Sequence, residues 1–362
     1  MDTDTTRNRT GRRGAGIASF RASGSGDSTI RAASHHPTRR GMLRGTAAMA
    51  MAGALVPIAA LTRPAAAQAD ALAGRDLLHD KRPVLHDGGT RFGAYDPHGD
   101  YSAESAVVTE HLYLPWDNAD LRDLDGVDDY AFERGRKVML TIEPWAWGDG
   151  WTTSAKRERD LILSGARDAN MRAILNVMTD FRSPLIIRWA QEMDGRTGHF
   201  PWQDWAPADY VAAYRRMAGI TRELLPDAQL MWSPKGEPEL DDYYPGEDVV
   251  DLVGLSVFGL QEHDEIKHGA PRSFAESLRQ GYALTEGYGK PIWVAELGYE
   301  GELPYLTSWA DDVTRAYDEF PMLEEVTLFN AREVHPWPHG LGLPDWRVVR
   351  DQTVARGDRE RG

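Results

Sequence analysis

The chain has 362 residues, with 41 Lys plus Arg against 56 Asp plus Glu, 12 Trp and no cysteine. The missing cysteines exclude disulfide stapling, a thiol nucleophile and thiolate-held zinc or iron–sulfur centres. The formal charge of -15 excludes tracking along nucleic acid, which needs basic surface to release counterions. The first 69 residues hold ten Arg and three Asp, so 31 of the 41 basic and 53 of the 56 acidic side chains follow them, a formal -22. All 12 Trp lie in that acidic remainder. Such richness suits flat, apolar-faced ligands such as sugar rings, and equally suits an ordinary buried core.

Residues 1–69 read as a targeting segment. Arg39-Arg40 precedes a small-apolar run from Gly45 to Leu61, and Ala65-Ala66-Ala67-Gln68-Ala69 offers a cleavage site. Paired arginines before a modest apolar core resemble a twin-arginine signal. The expectation is export to the periplasm or medium, with no stable membrane insertion after cleavage. The run is short for a span, and no other stretch is apolar enough to cross a bilayer.

From residue 90 short apolar strands alternate with amphipathic segments. Phe92–Tyr95, 106–108 with His111–Leu114, Lys137–Ile142, Pro184–Trp189, Ala228–Trp232, Val250–Leu255, Pro291–Ala295 and Glu325–Phe329 read as strands. Runs apolar on both faces are expected of parallel strands covered by helices. Helices are expected over Asp160–Met178, interrupted at Gly165, from Pro207 to Leu225, from a Ser273 cap, and over Ser308–Phe320. Eight strands with helical crossovers predict an α/β fold, a (β/α)8 barrel forming one catalytic domain over 70–350. A doubly wound sheet would announce a Gly-rich phosphate loop after its first strand, and none is present. The Arg- and Asp-rich tail after Trp346 has little to bury and is expected to fray, with 351–362 flexible.

In such a barrel chemistry sits on side chains just past the strands. Those positions collect Glu143-Pro144-Trp145, Arg188-Trp189-Ala190-Gln191-Glu192, Trp232-Ser233, Phe258 and Glu296-Leu297-Gly298-Tyr299. A carboxylate after an apolar strand is costly to bury unless hydrogen-bonded or paired. Each Glu alone reads as a structural ion pair. Together, Glu192 and Glu296 end strands three units apart and can face one another across the mouth. Two such carboxyls, one protonated and one ionised, are what glycoside hydrolysis requires. Arg188 is placed to hold one of them ionised.

Arg188-Trp189-Ala190-Gln191-Glu192-Met193-Asp194-Gly195, followed by Phe200-Pro201-Trp202-Gln203-Asp204-Trp205, resembles the strand-four motif of glycoside hydrolase family 26. Trp232-Ser233-Pro234, the run Asp251–Gly259, Lys290–Gly298 and Glu143-Pro144-Trp145 resemble its other strand ends in order. The resemblance spans about residues 90 to 335. It implies a retaining β-glycanase with Glu192 as acid/base and Glu296 as nucleophile, acting in endo fashion on mannan, β-glucan or a bacterial exopolysaccharide. It also implies a monomer that needs no cofactor. Arg188, Gln191, Glu143, Trp145, Trp116, Trp202, Trp205, Trp232, Phe258, Tyr299 and Trp337 are then the expected substrate contacts.

The chain departs from the family pattern at informative places. Gln191 stands where the family has His, and Asp194 where it has Asn. Phe258 occupies the place of a Tyr that donates to the nucleophile, so Tyr299 or Arg188 must supply that bond. Strand eight carries Phe329-Asn330 in place of an aromatic Trp platform, with Trp337 further on. His98, His111 and His199, and Asp117-Asn118, are further candidate contacts near the rim. No His-x-x-His or His-Glu-x-x-His spacing appears, and the acidic run Asp120–Asp129 lacks calcium-loop spacing, so no metal is expected. The competing reading is a non-catalytic carbohydrate-binding protein on the same barrel.

Overall fold

The computed structural model describes residues 72, 74–86, 89–117, 119–147 and 151–350; the targeting segment, Asn118 and the tail 351–362 lie outside them. Strands β1 (Arg91–Tyr95), β2 (Val107–Pro115), β3 (Lys137–Glu143), β4 (Leu185–Trp189), β5 (Gln229–Trp232), β6 (Leu252–Leu260), β7 (Ile292–Glu300) and β8 (Leu323–Phe329) follow in chain order. Every neighbouring pair is parallel, and β8 pairs back onto β1 to close a barrel. The chain is therefore an α/β protein with the expected (β/α)8 barrel.

Alternation along each strand divides two apolar regions. Met139, Ile186, Met231, Leu252, Trp293 and Ala295 plug the barrel interior. Their neighbours Val138, Leu140, Ile187, Leu230, Val253 and Val294 face outward into the larger core beneath the helices. Burial on both faces is why the strands read as nearly unbroken apolar runs. The interior is tightly filled at β6, where a Cβ on Gly254 would come within 2.5 Å of the Met231 sulfur. Glycine there leaves room for the Met231 and Ala295 side chains.

The outer layer comprises α1 (Val127–Glu133), α2 (Ala155–Leu163), α3 (Asp168–Met178), α4 (Pro207–Leu224), α5 (Gln261–His268), α6 (Phe274–Thr285) and α7 (Leu303–Asp312). Gly165, at φ +84°, separates α2 from α3 as its position predicts. Pro207 opens α4 at a position where its missing N–H costs nothing. Ser273 and Glu276 form a reciprocal capping box at the start of α6.

Three expectations need correction. The last helix begins at Leu303, with Pro304 in its first turn, and stops at Asp312 rather than running from Ser308 to Phe320. Acidic residues oppose the dipole at a helix C-terminus, and here Asp311 and Asp312 turn to pair with Arg315 instead. Helical crossovers are incomplete among the described residues. Turns built on Asp96 join β1 to β2, and a single 3-10 turn, Leu240–Tyr243, lies between β5 and β6. The chain also stays ordered past Trp346. Trp346 and Val348 are buried, the Val348 amide donates to Asn330, and the Lys81 amide donates to the Val348 carbonyl. Lys81 then donates through Nζ to the carbonyls of Tyr299 and Asp345, tying both ends of the domain to β7. Among the described residues no helix is long and apolar enough to cross a membrane.

Candidate active site

The mouth of the barrel is built where strands lose their apolar character. On β7 one extra residue, relative to both neighbouring strands, lies between Val294 and Leu297. A bulge of this kind re-aims a side chain. Ala295 faces the interior plug, and Glu296 beside it faces inward as well, opposite Ser256. Without the bulge, strict alternation would send Glu296 into the outer core.

Inside the mouth Glu296 Oε1 meets Arg188 Nη1 at 2.6 Å. Arg188 is fully buried and is itself aimed by Ser233 Oγ at 2.8 Å and Thr141 Oγ1 at 3.2 Å. Ser233 donates onward to the Gly254 carbonyl at 2.8 Å. Strands β3, β4, β5 and β6 therefore all contribute to the orientation of one carboxylate on β7. Burial is the largest influence on Glu296 and raises it to about 7; the charge of Glu192 pushes the same way, while Arg188 and the Tyr113 phenol oppose. Tyr113, on β2, lies against this carboxyl without a hydrogen bond of ordinary geometry, and burial keeps its phenol protonated.

Glu192 sits on the loop after β4 in an unusual backbone. Both Ala190 (φ 48°) and Glu192 (φ 55°) occupy the left-handed region, which costs a non-glycine residue about 1–3 kcal/mol. The surroundings hold that conformation in place. The Glu192 amide donates to the Ser233 carbonyl at 2.7 Å, and its own carbonyl accepts from the Gly195 amide and Gln203 Nε2, each at 3.0 Å. Asp194 steadies the neighbouring loop by accepting from the amides of Lys235, Gly236 and Glu237. Glu192 is partly exposed, whereas Glu296 is 8% exposed.

Glu143, at the end of β3, is 5% exposed, and its carboxylate is already occupied. It accepts from Gln191 Nε2 at 2.6 Å, from Trp145 Nε1 at 2.9 Å and from Trp147 Nε1. Glu143 and Gln191 thus position one another and the two indoles, instead of presenting free polar groups to a ligand. Arg188 likewise acts through Glu296.

Several expected contacts lie elsewhere. Trp116 and Trp205 pack against Trp189 on the outer side of β4, and Trp205 donates to the Ala155 carbonyl. Trp232 is fully buried behind β5 against Tyr244 and Tyr288. Period-two alternation accounts for both Trp189 and Trp232, since Arg188 and Ser233 beside them take the inward positions. Trp202 is also fully buried, stacked on Phe200 and donating to the Gln191 carbonyl at 2.6 Å. It supports the loop that carries Glu192. Tyr299 points outward, where its hydroxyl donates to the Lys81 carbonyl, so it makes no bond to Glu296. His111 is buried within the barrel on Thr141, and His98 is exposed at the surface.

Trp145 and Phe258 remain at the mouth, partly exposed, with Trp337 beside Phe258 at 6.3 Å between ring centroids. Residues outside the expected set of substrate contacts join them. Tyr95, Tyr113 and Phe329 form a cluster on β1, β2 and β8, and Trp147 is 41% exposed. Inward parity along β1, β2 and β8 was the available signal for the first three. Asp120 and Asp128, in the acidic run, pair with Arg122 and Arg182. Among the described residues no group of His, Cys, Asp or Glu is arranged to hold a metal ion.

No family model matches the chain. A β-1,3-xylanase (TXYA) of a Vibrio species is 27% identical over 145 residues, which is 38% of this chain and 30% of that protein. A β-1,3-xylanase of an Alcaligenes species is 28% identical over 142 residues, 34% of this chain and 29% of that one. The chain thus matches under a third of the length of these curated relatives. Among solved structures, GH26C from Muricauda sp. MAR_2010_75 aligns with a TM-score of 0.49 at 15% identity, over 70% of this chain and 80% of that one. The exo-β-1,4-mannosidase Op5Man5 from Opitutaceae bacterium strain TAV5 aligns with a TM-score of 0.48 at 15% identity, over 71% and 55%.

Proposed function

We propose that the chain is a glycoside hydrolase that cleaves a β-linked polysaccharide with retention of configuration. The observation that carries this reading is the Glu296 carboxyl, turned into the mouth by a bulge and held by Arg188 at 2.6 Å, within range of the charge of Glu192. Glu296 attacks the anomeric carbon and forms a glycosyl ester. Glu192 gives its proton to the departing glycosidic oxygen. Water then attacks the anomeric carbon as Glu192 takes its proton, and the C1–O bond breaks to release Glu296 as the free carboxylate. Because Glu296 lies near 7, its nucleophilic form grows as pH rises through neutrality, and kcat/KM falls on the acid side of that point.

Both curated relatives are named β-1,3-xylanases, which makes β-1,3-xylan the first polymer to test, ahead of mannan, mixed-linkage glucan and cellulose. A reducing-sugar screen against these four identifies the polymer. In the same assay Glu296→Ala abolishes release, a loss on the order of 10^4-fold or more, while polymer binding persists. Unchanged release from Glu296→Ala would end this reading. Wild-type binding to a glycan with no hydrolysis of any polymer would favour a carbohydrate-binding protein, the role left open by Phe258 in place of a donor. We further propose export by the twin-arginine route; an N-terminus at residue 70 in the secreted protein is the expected finding.

A further inference from the structure

Guanidinium groups on the outer surface are typically neutralised by carboxylates, as in Arg172–Glu223, Arg215–Asp248 and Arg216–Asp168. One side of the mouth inverts that pattern. His199 lies between β4 and α4, Lys235 follows β5, His263 and Lys267 lie on α5, and His335 and His339 follow β8. Among the described residues none of these six forms an ion pair with a carboxylate. They nevertheless converge. The His199 and His335 rings are 4.8 Å apart, His263 stands 5.1 Å from Trp337 and 6.1 Å from His339, and Trp337 in turn borders Phe258.

We propose that this side of the mouth receives an anionic substituent, a carboxylate or a sulfate ester, carried by the glycan that the barrel cleaves. The inference rests on the glycan-cleaving reading and narrows its substrate class to acidic or acid-decorated polymers. In a chain with a strong acidic excess, carboxylates are plentiful, so two ammonium groups outside any ion pair beside four imidazoles are a specific feature of this rim. The charge of Lys235 acts on His199 and His263 alike. The cost of this assembly shows in the imidazoles. Burial lowers His263 to about 4, aided by Lys267, His268, His339 and Lys235. Burial lowers His199 too, with His335 and Lys235 adding to it and Glu333 and Glu192 opposing. Glu333 is oriented by the Trp337 and Trp346 indoles, which leaves the Lys235 and Lys267 ammonium groups to meet an anion on the ligand. Ammonium groups hold carboxylate and sulfate through charge-assisted hydrogen bonds, and neutral imidazoles beside them add N–H donors.

The test is a titration followed through the imidazole resonances of isotope-labelled histidine, with D-glucuronate, D-glucose 6-sulfate and D-glucose as probes. The expected result is that at least one anionic sugar shifts the signals of His199, His263 and His335 with at least tenfold tighter binding than glucose. That preference weakens in high salt and is lost in Lys235→Gln, with Lys267→Gln as the second variant. A response to glucuronate alone assigns a carboxylate, and a response to the sulfate alone assigns an ester. Equal shifts with glucose, no shifts with any probe, or full retention of the preference in both variants would overturn the proposal. None of these readouts depends on hydrolysis, so failure here is distinct from failure of the polymer screen.

Discussion

The barrel buries Glu296 and Glu325 at opposite ends, and they are treated differently. Glu296, at the mouth, meets a fully buried Arg188 at 2.6 Å, and Ser233 and Thr141 keep that arginine in place. Glu325, near the start of β8, is 0% exposed and faces Arg91 at 3.5 Å and Lys137 at 3.9 Å, cations that are 44% and 27% exposed. Those two cations lean on the face of Trp293. Burial raises both glutamates. A raised carboxyl inside a barrel is therefore no mark of a site in itself. What separates Glu296 is a partner fixed by several strands, a bulge that aims it, and an open mouth with a second carboxyl in range.

The contrast is sharpest on removal of the cations. Arg188→Met leaves Glu296 buried and unpaired, with an expected loss of about 3–5 kcal/mol in denaturant unfolding. Arg91→Met removes a half-exposed partner and costs about 1 kcal/mol or less. Equal losses would mean that the two ends of the barrel are not distinguished as described. A second contrast concerns the coupling of the two mouth glutamates. The charge of Glu192 helps to raise Glu296, so Glu192→Gln moves the acid limb of kcat/KM for an activated aryl glycoside to lower pH. An acid limb that stays put would show that the two carboxyls do not sense one another.

The smallest effect belongs to Glu325→Gln. Its carboxyl is raised in the fold, so the stability it contributes is complete below the unfolded value near 4.5 and is lost as pH rises through the folded one. Replacement by an uncharged isostere should leave hydrolysis within a few-fold of wild type and flatten the decline in stability from acid to neutral pH. Urea unfolding at two pH values checks this, and a steeper decline in the variant would contradict it.

The parts legible in the sequence are those governed by period and composition. Continuous apolar runs marked the strands because both faces are buried, and Gly165 and Pro207 punctuated the helices as their backbone chemistry requires. Glu192 and Glu296 stood out because carboxylates follow apolar strands. The tryptophans misled for a definable reason. Trp189 and Trp232 neighbour the inward-facing Arg188 and Ser233, so parity sends them outward, and Trp202 supports the loop that carries Glu192. Parity alone would place Glu296 outward as well, and only the bulge on β7, which spacing does not reveal, turns it inward. The role of Tyr113 was hidden in the same way, since its approach to Glu296 depends on how the closed barrel brings β2 near β7.

The central claim is tested most directly by trapping the covalent intermediate. An activated 2-deoxy-2-fluoro glycoside of the sugar found in the screen is incubated with the chain, and proteolytic peptides are read by mass spectrometry. The account predicts a single glycosyl adduct on the peptide bearing Glu296, formed with loss of activity and absent from Glu296→Ala. An adduct on Glu192, or turnover of the polymer with inversion and no adduct at all, would contradict it.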